Sequence, residues 1–207
     1  MWPYGPVAIA STLEGETVAE MATAILAAAP PRFALVGTSM GGYICLEIMR
    51  QAPERVIKRA LLDTSARSDT PEQITQRRAL VAQARSGDFE ALLSQSLSMI
   101  LHPKPQNDSA IREVNVRMGL TVGVDGFARQ VEALIPRIDS RPSLPAISVP
   151  TLVLVGDRDL LAPSDLAEDM VVAIPDAHLV VAPEFGHAST LEQPEAVHRA
   201  LIEGITG

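Results

Sequence analysis

Phe33-Ala34-Leu35-Val36-Gly37-Thr38-Ser39-Met40-Gly41-Gly42-Tyr43 is the stretch on which the fold turns. An apolar run stops at Gly37, and the helix-compatible run Tyr43-Ile44-Cys45-Leu46-Glu47-Ile48-Met49 begins just after Gly42. Between them, Gly37-Thr38-Ser39-Met40-Gly41 fits G-x-S-x-G, the pattern of a nucleophile elbow. The demand behind the pattern is steric. A serine on a sharp strand-to-helix turn needs neighbours two positions away with almost no side chain, which Gly37 and Gly41 provide, while Gly42 lets the helix pack close to the sheet. Such a turn lifts the Ser39 hydroxyl above the sheet, where helix amides and dipole favour a developing negative charge. The plainer reading is a glycine-rich connection with an incidental serine; a strand before and a helix after speak against it.

Upstream, Val7–Ala10 reads as a short buried strand. Thr17–Ala28 has helical spacing, with Val18, Met21, Ala22, Ile25 and Leu26 on one face and Ala29-Pro30-Pro31 at its end. Downstream, the elbow helix closes near Ala52-Pro53, and Val56-Ile57 with Ala60-Leu61-Leu62 forms a third strand that ends at Asp63-Thr64-Ser65. From Arg67 to Arg141 the rhythm changes to four helix-like blocks, Pro71–Arg85, Phe89–Leu101, Ser109–Leu120 and Gly126–Ile135. Ser86-Gly87-Asp88, His102-Pro103-Lys104-Pro105 and Gly123 break them. Alternation then resumes. Thr151–Val155 is a strand ending at Gly156-Asp157-Arg158-Asp159, Pro163–Ala173 a helix, Ala177–Ala182 the last strand, and Pro194–Ile202 the closing helix.

Strands alternating with helices imply parallel pairing. The expected fold class is therefore α/β: a mostly parallel sheet of about five strands with flanking helices. Residues 1–66 and 142–207 form its core, and 67–141 a helical cap inserted into it.

Composition narrows the function. The chain has 207 residues, enough for one domain with a real core, and is 47% hydrophobic but only 3% aromatic. A formal charge of −8 with no basic cluster argues against nucleic acid or an anionic membrane as partner. The single cysteine, Cys45, excludes an internal disulfide, fits a reducing compartment and reads as a buried structural thiol. Met1–Pro6 lacks the features of a signal peptide, and no run is long and apolar enough to span a bilayer, so the expected location is cytoplasmic.

Three polar groups stand after apolar strands, at the sheet edge where parallel folds bind ligands: Ser39, Asp159 and His187. A serine hydroxyl is a poor nucleophile and needs a base; histidine titrates in the right range, and a carboxylate orients the imidazole. Asp157 and Asp63 compete with Asp159 for the acid, and either could be a turn residue. His102, His178 and His198 are weaker candidates for the base, lying in the inserted region between the helical blocks, at a strand start and on the polar side of the terminal helix.

These three motifs, Gly37–Gly42, Pro150–Asp159 and Gly186-His187-Ala188-Ser189-Thr190-Leu191-Glu192-Gln193-Pro194-Glu195, together resemble the α/β-hydrolase superfamily, in its subgroup of small carboxylesterases and enol-lactonases. The resemblance runs from about Val7 to the C-terminus. It implies Asp159 as the acid, His187 as the base, the Met40 amide as one oxyanion donor and residues 67–141 as the substrate-shaping cap. Its implied reaction is hydrolysis of a small ester or lactone through an acyl-enzyme, without cofactor or metal. Cofactor-free perhydrolase or C–C hydrolase chemistry with the same triad, and a non-catalytic binding protein, remain as alternatives.

One departure stands out. Relatives usually carry further strands upstream, one of them followed by a His-Gly segment that supplies the second oxyanion amide; no His-Gly pair precedes the elbow here. Either Val7–Ala10 moves inward to pair with Phe33–Val36, or a second copy of the chain covers the gap, which makes a homo-oligomer the expectation. The backbone at Ser11-Thr12, following the first strand, is the expected substitute donor.

Overall fold

Thr151-Leu152-Val153-Leu154-Val155-Gly156 is buried at every position, which an apolar strand can be only if both faces of its sheet are covered. The computed structural model, which describes residues 5–104 and 108–206, places it at the centre of the fold. Strands β1 (Phe33–Thr38), β2 (Val56–Leu62), β3 (Thr151–Gly156) and β4 (Ala177–Ala182) pair in parallel in the order β1-β2-β3-β4.

The strand alternation sorts the core into two layers. On one face Leu61, Val153 and Val155 pack with α1 (Val18–Ala28), α2 (Met40–Gln51) and α6 (Ser164–Ala173), through Met21, Ile44, Cys45, Ile48 and Met170. On the other, Ala60, Leu62, Leu152 and Leu154 meet Val197 and Ala200 of α8 (Pro194–Thr206). Thr17 caps α1 by accepting the Glu20 amide at 3.1 Å, so that helix starts where its apolar stripe does.

Between β2 and β3 lie α3 (Pro71–Ser86), α4 (Phe89–Ile100) and α5 (Ser109–Leu134). The two blocks expected at Ser109–Leu120 and Gly126–Ile135 are the two helical arms of α5, and the break expected at Gly123 is where they meet: its φ of 72° is one no side-chain-bearing residue adopts without strain. Of the break expected at His102–Pro105, Pro105 lies outside the described residues. The Phe89 and Phe127 rings meet at a tilt of 58°, 5.4 Å between centroids, in a small core of these helices. Arg137 ties them to α2, lying 4.2 Å over the Tyr43 ring and 2.7 Å from Asp69 of the segment before α3. Burial pushes the Asp69 carboxyl up, but the hydrogen bonds and charges of Arg137 and Arg77 outweigh it and hold it below the usual range.

The structure differs from expectation at the start. Val7–Ala10 is not a strand, and Val7 and Ile9 are 67% and 96% exposed. The segment is drawn instead to α5, where Gln130 Nε2 donates to the Thr12 hydroxyl and carbonyl oxygens at 3.0 and 3.4 Å. The sheet therefore has four strands among the described residues. β1 is its edge, with Ala34 and Val36 exposed. No helix among the described residues is long and apolar enough to cross a membrane. The leader reading of Met1–Pro6 falls mostly on residues 1–4, outside the described residues.

The two glycines flanking Ser39 are not equivalent. A Cβ on Gly37 would stand 2.3 Å from the Gly41 carbonyl oxygen and 2.5 Å from Cys45 Sγ, whereas one on Gly41 would meet nothing within 4 Å. The steric requirement thus rests on Gly37. Gly37→Ala should lower stability to urea by about 1–3 kcal/mol or more, as overpacking against a fixed backbone does. Gly41→Ala should leave it unchanged or raise it by up to about 1 kcal/mol. Equal effects of the two substitutions would contradict this account.

Candidate active site

Ser39 is placed by the strand-to-helix turn between β1 and α2. Its amide donates to the Leu62 carbonyl at 2.9 Å, continuing the sheet ladder, and its carbonyl accepts from Thr64 Oγ1 at 2.8 Å and the Gly42 amide at 2.9 Å. Held at both ends, the residue takes φ 52° and ψ −116°, a conformation costing a non-glycine about 1–3 kcal/mol. Gly42 allows the closeness on which this depends, because a Cβ there would stand 2.3 Å from Thr64 Oγ1.

His187 follows β4 on a loop fixed from two sides. Its amide donates to the Ile100 carbonyl at the end of α4 at 2.7 Å. Glu192, the last residue of the short helix α7 (Ser189–Glu192), accepts the Gly186 amide at 3.1 Å and the His102 amide at 2.8 Å. The imidazole, its side chain only 12% exposed, spans two partners: Nδ1 is 2.8 Å from Asp159 Oδ2, and Nε2 is 2.8 Å from Ser39 Oγ. An ionised carboxylate only accepts, so Nδ1–H donates to Asp159, and Nε2 of the neutral ring accepts the Ser39 hydroxyl proton.

Asp159 follows β3. Its Oδ1 accepts the Leu161 and Ala162 amides at 2.8 and 2.9 Å, which fixes the carboxylate plane toward His187. Burial pushes this carboxyl up most strongly; the His187 hydrogen bond and charge, together with the two amides, outweigh it and leave Asp159 below the usual range.

Of the competing acids, Asp157 Oδ1 accepts the Phe185 amide at 3.3 Å and is a turn residue. Asp63 stands behind the site, accepting the Gly156 amide at 3.2 Å and the Ser189 hydroxyl. Burial pushes the Asp63 carboxyl up to about 7, and the Asp159 charge adds to the rise. The Ser189 bond, the His187 charge and the Gly156 amide oppose it. Of the other histidines, His102 accepts the Lys104 amide on Nδ1 at 3.2 Å, His178 sits on β4 opposite Leu152, and His198 lies on α8.

Met40 opens α2, and the first amides of a helix have no acceptor within it, so its N–H belongs to the positive end of the helix beside Ser39. Ser11, expected as a second donor because it follows a sheet strand, loses that basis, since Val7–Ala10 is not a strand. Its Oγ accepts the Leu13 amide at 3.2 Å. Cys45 is buried, and burial pushes its thiol up to about 12, consistent with an inert thiol. Among the described residues no group of three His, Cys, Asp or Glu side chains could hold a metal ion. A cavity of about 330 Å³ between the start of α1, α2 and the end of α5 is lined by Tyr43, Glu47, Arg67 and Arg137 but by neither Ser39 nor His187, so it is not the space facing the hydroxyl.

Ser189 and Glu192 had no assigned role in the sequence. Glu192 turns back six residues onto the Gly186 amide, a contact for which the spacing from Gly186 to Pro194 was the signal, whereas Ser189 reaches Asp63 across the fold and left no signal in the chain.

Comparison with known proteins agrees with this architecture. The family model described as alpha/beta hydrolase fold matches residues 6–194. A thermophilic esterase from Thermogutta terrifontis, solved with malate bound, is 32% identical and superposes with a TM-score of 0.85 over 92% of this chain and 72% of its own. A hydrolase from Pseudomonas aeruginosa is 25% identical, with a TM-score of 0.83 over the same shares. The pimeloyl-[acyl-carrier protein] methyl ester esterase of Nitrosomonas europaea is 27% identical over 190 residues, 87% of this chain and 74% of that protein. With the match spanning nearly the whole chain, the protein belongs to the α/β-hydrolase fold family.

Proposed function

We propose that the chain is a serine hydrolase that cleaves small carboxylic esters or lactones through an acyl-enzyme, with Ser39 as nucleophile, His187 as general base and acid, and Asp159 as the orienting carboxylate. The observation that carries this reading is the unbroken relay at 2.8 Å and 2.8 Å from Ser39 Oγ through His187 to Asp159, on a serine held at φ 52°. The esterase names among the relatives support the same class of substrate.

The steps follow from the geometry. His187 Nε2 takes the hydroxyl proton as Ser39 Oγ attacks the carbonyl carbon, and Asp159 stabilises the imidazolium that forms. The negative charge that develops on the carbonyl oxygen faces the start of α2, where the Met40 amide is the donor. As the tetrahedral species collapses, the imidazolium returns the proton to the leaving alcohol. Water, deprotonated by the same nitrogen, then attacks the acyl-enzyme and frees Ser39. In this reading α3–α5, within residues 67–141, form the cap. The Ile100 carbonyl at the end of α4, which accepts the His187 amide, couples the cap to the base.

Two expectations test it. On p-nitrophenyl esters of increasing acyl length, turnover should peak at short chains, and Ser39→Ala should fall by about a thousandfold or more while the fold is kept. A folded Ser39→Ala as active as the wild type would refute the assignment. Asp159→Asn keeps the size of the side chain but presents His187 with the wrong hydrogen-bonding partner, so kcat should drop by about 10⁴-fold with KM little changed. A loss confined to KM would mean that Asp159 does not act through the imidazole.

A further inference from the structure

Asp63 is an expensive residue where it stands. It is 0% exposed, sits at φ 47° one position past β2, and shares its surroundings with a second carboxylate, Asp159. An apolar side chain would occupy the same place without the cost of burying an ionisable group. The bonds it makes explain its presence. Its backbone amide donates to the Leu154 carbonyl at 2.9 Å, extending the ladder onto β3. Its Oδ1 accepts the amide of Gly156, three residues before Asp159, and its Oδ2 accepts the hydroxyl of Ser189, two residues after His187. The carbonyl of its neighbour Leu62 holds the Ser39 amide. Asp63 and its neighbour Leu62 thus join the three segments that carry Ser39, Asp159 and His187.

The fit leaves little slack. A Cβ on Gly156 would stand 2.5 Å from the carbonyl oxygens of both Gly186 and Phe185, so the end of β3 and the His187 loop are already in backbone contact beside this tie. The charged groups that act on Asp63 are His187 and Asp159, from the β4 loop and the β3 turn.

Resting on the hydrolase reading, we propose that Asp63 is a positioning residue: by clamping Ser189 to Gly156 it holds the His187 imidazole where it meets Ser39 and Asp159 together. It does not touch the reacting atoms, and acts only through the loop.

The test compares Asp63→Ala, which removes both side-chain bonds, with Asp63→Asn, whose amide oxygen still accepts from Gly156 and whose NH₂ donates to a rotated Ser189 hydroxyl. Ester turnover and the low-field Nδ1–H proton resonance of His187 are measured for each. Asp63→Ala should lose about a hundredfold in kcat, the effect of an ångström-scale misplacement, with KM within about twofold. Its His187 resonance should broaden or move. Asp63→Asn should recover most of the turnover and the wild-type resonance. Ser189→Ala, which cuts one tie from the other side, should give a smaller loss in the same direction, and it serves in place of Asp63→Ala should that variant not fold. An unchanged His187 resonance and unchanged kcat in the tie-cutting variants would overturn the proposal while leaving the hydrolase reading intact. A wild type without turnover whose His187 resonance responds as described would refute the hydrolase reading and leave the positioning role standing.

Discussion

One imidazole has to reach two partners at once, and most of the structure follows from that requirement. His187 bridges 2.8 Å to a hydroxyl after β1 and 2.8 Å to a carboxylate after β3, while it stands on a loop after β4. Three loops from three strands must keep their relative positions to within a few tenths of an ångström, or one of the two bonds is lost. The parallel sheet supplies the frame, since it brings the C-terminal ends of its strands to one edge. Backbone proximity supplies the precision: Ser39 is locked to Leu62, Gly156 lies against Gly186, and the His187 amide is held by Ile100.

The burial pattern reflects the same division of labour. β3, which leads into the Asp159 turn, is buried throughout and packs against helices on both faces, whereas β1, which leads into Ser39, is half exposed. The strained backbone of Ser39 is therefore supported from one side only, by β2, Thr64 and α2. Much of what steadies it is steric closeness rather than area, which is why Gly37 and Gly42 matter there and Gly41 does not.

The four observed strands, the helices that flank them and the positions of Ser39, Asp159 and His187 were legible in the sequence, because each depends on a local pattern. Apolar runs of strand length end in Gly, Asp or Ser, and helices begin at a cap such as Thr17. Val7–Ala10 misled for a physical reason. Four apolar residues look like a buried strand whether or not a partner edge exists to receive them, and periodicity does not reveal the partner. The reading of Ser11 as a donor fell with it. The choice among Asp63, Asp157 and Asp159 was not decided by spacing alone, since all three follow strands and all three accept backbone amides; only the fold shows which one also meets the imidazole. The role of Ser189 and the reach of Glu192 to the His102 amide were likewise hidden, because they are made by residues far apart in the chain.

The central claim is that the relay activates Ser39. Labelling of the folded chain with a fluorophosphonate, followed by peptide mapping, tests it without knowledge of the substrate. The wild type should carry one adduct, on Ser39, and His187→Ala, deprived of the base, should react orders of magnitude more slowly. A folded wild type that takes no label, or a His187→Ala variant labelled as fast as the wild type, would contradict the account.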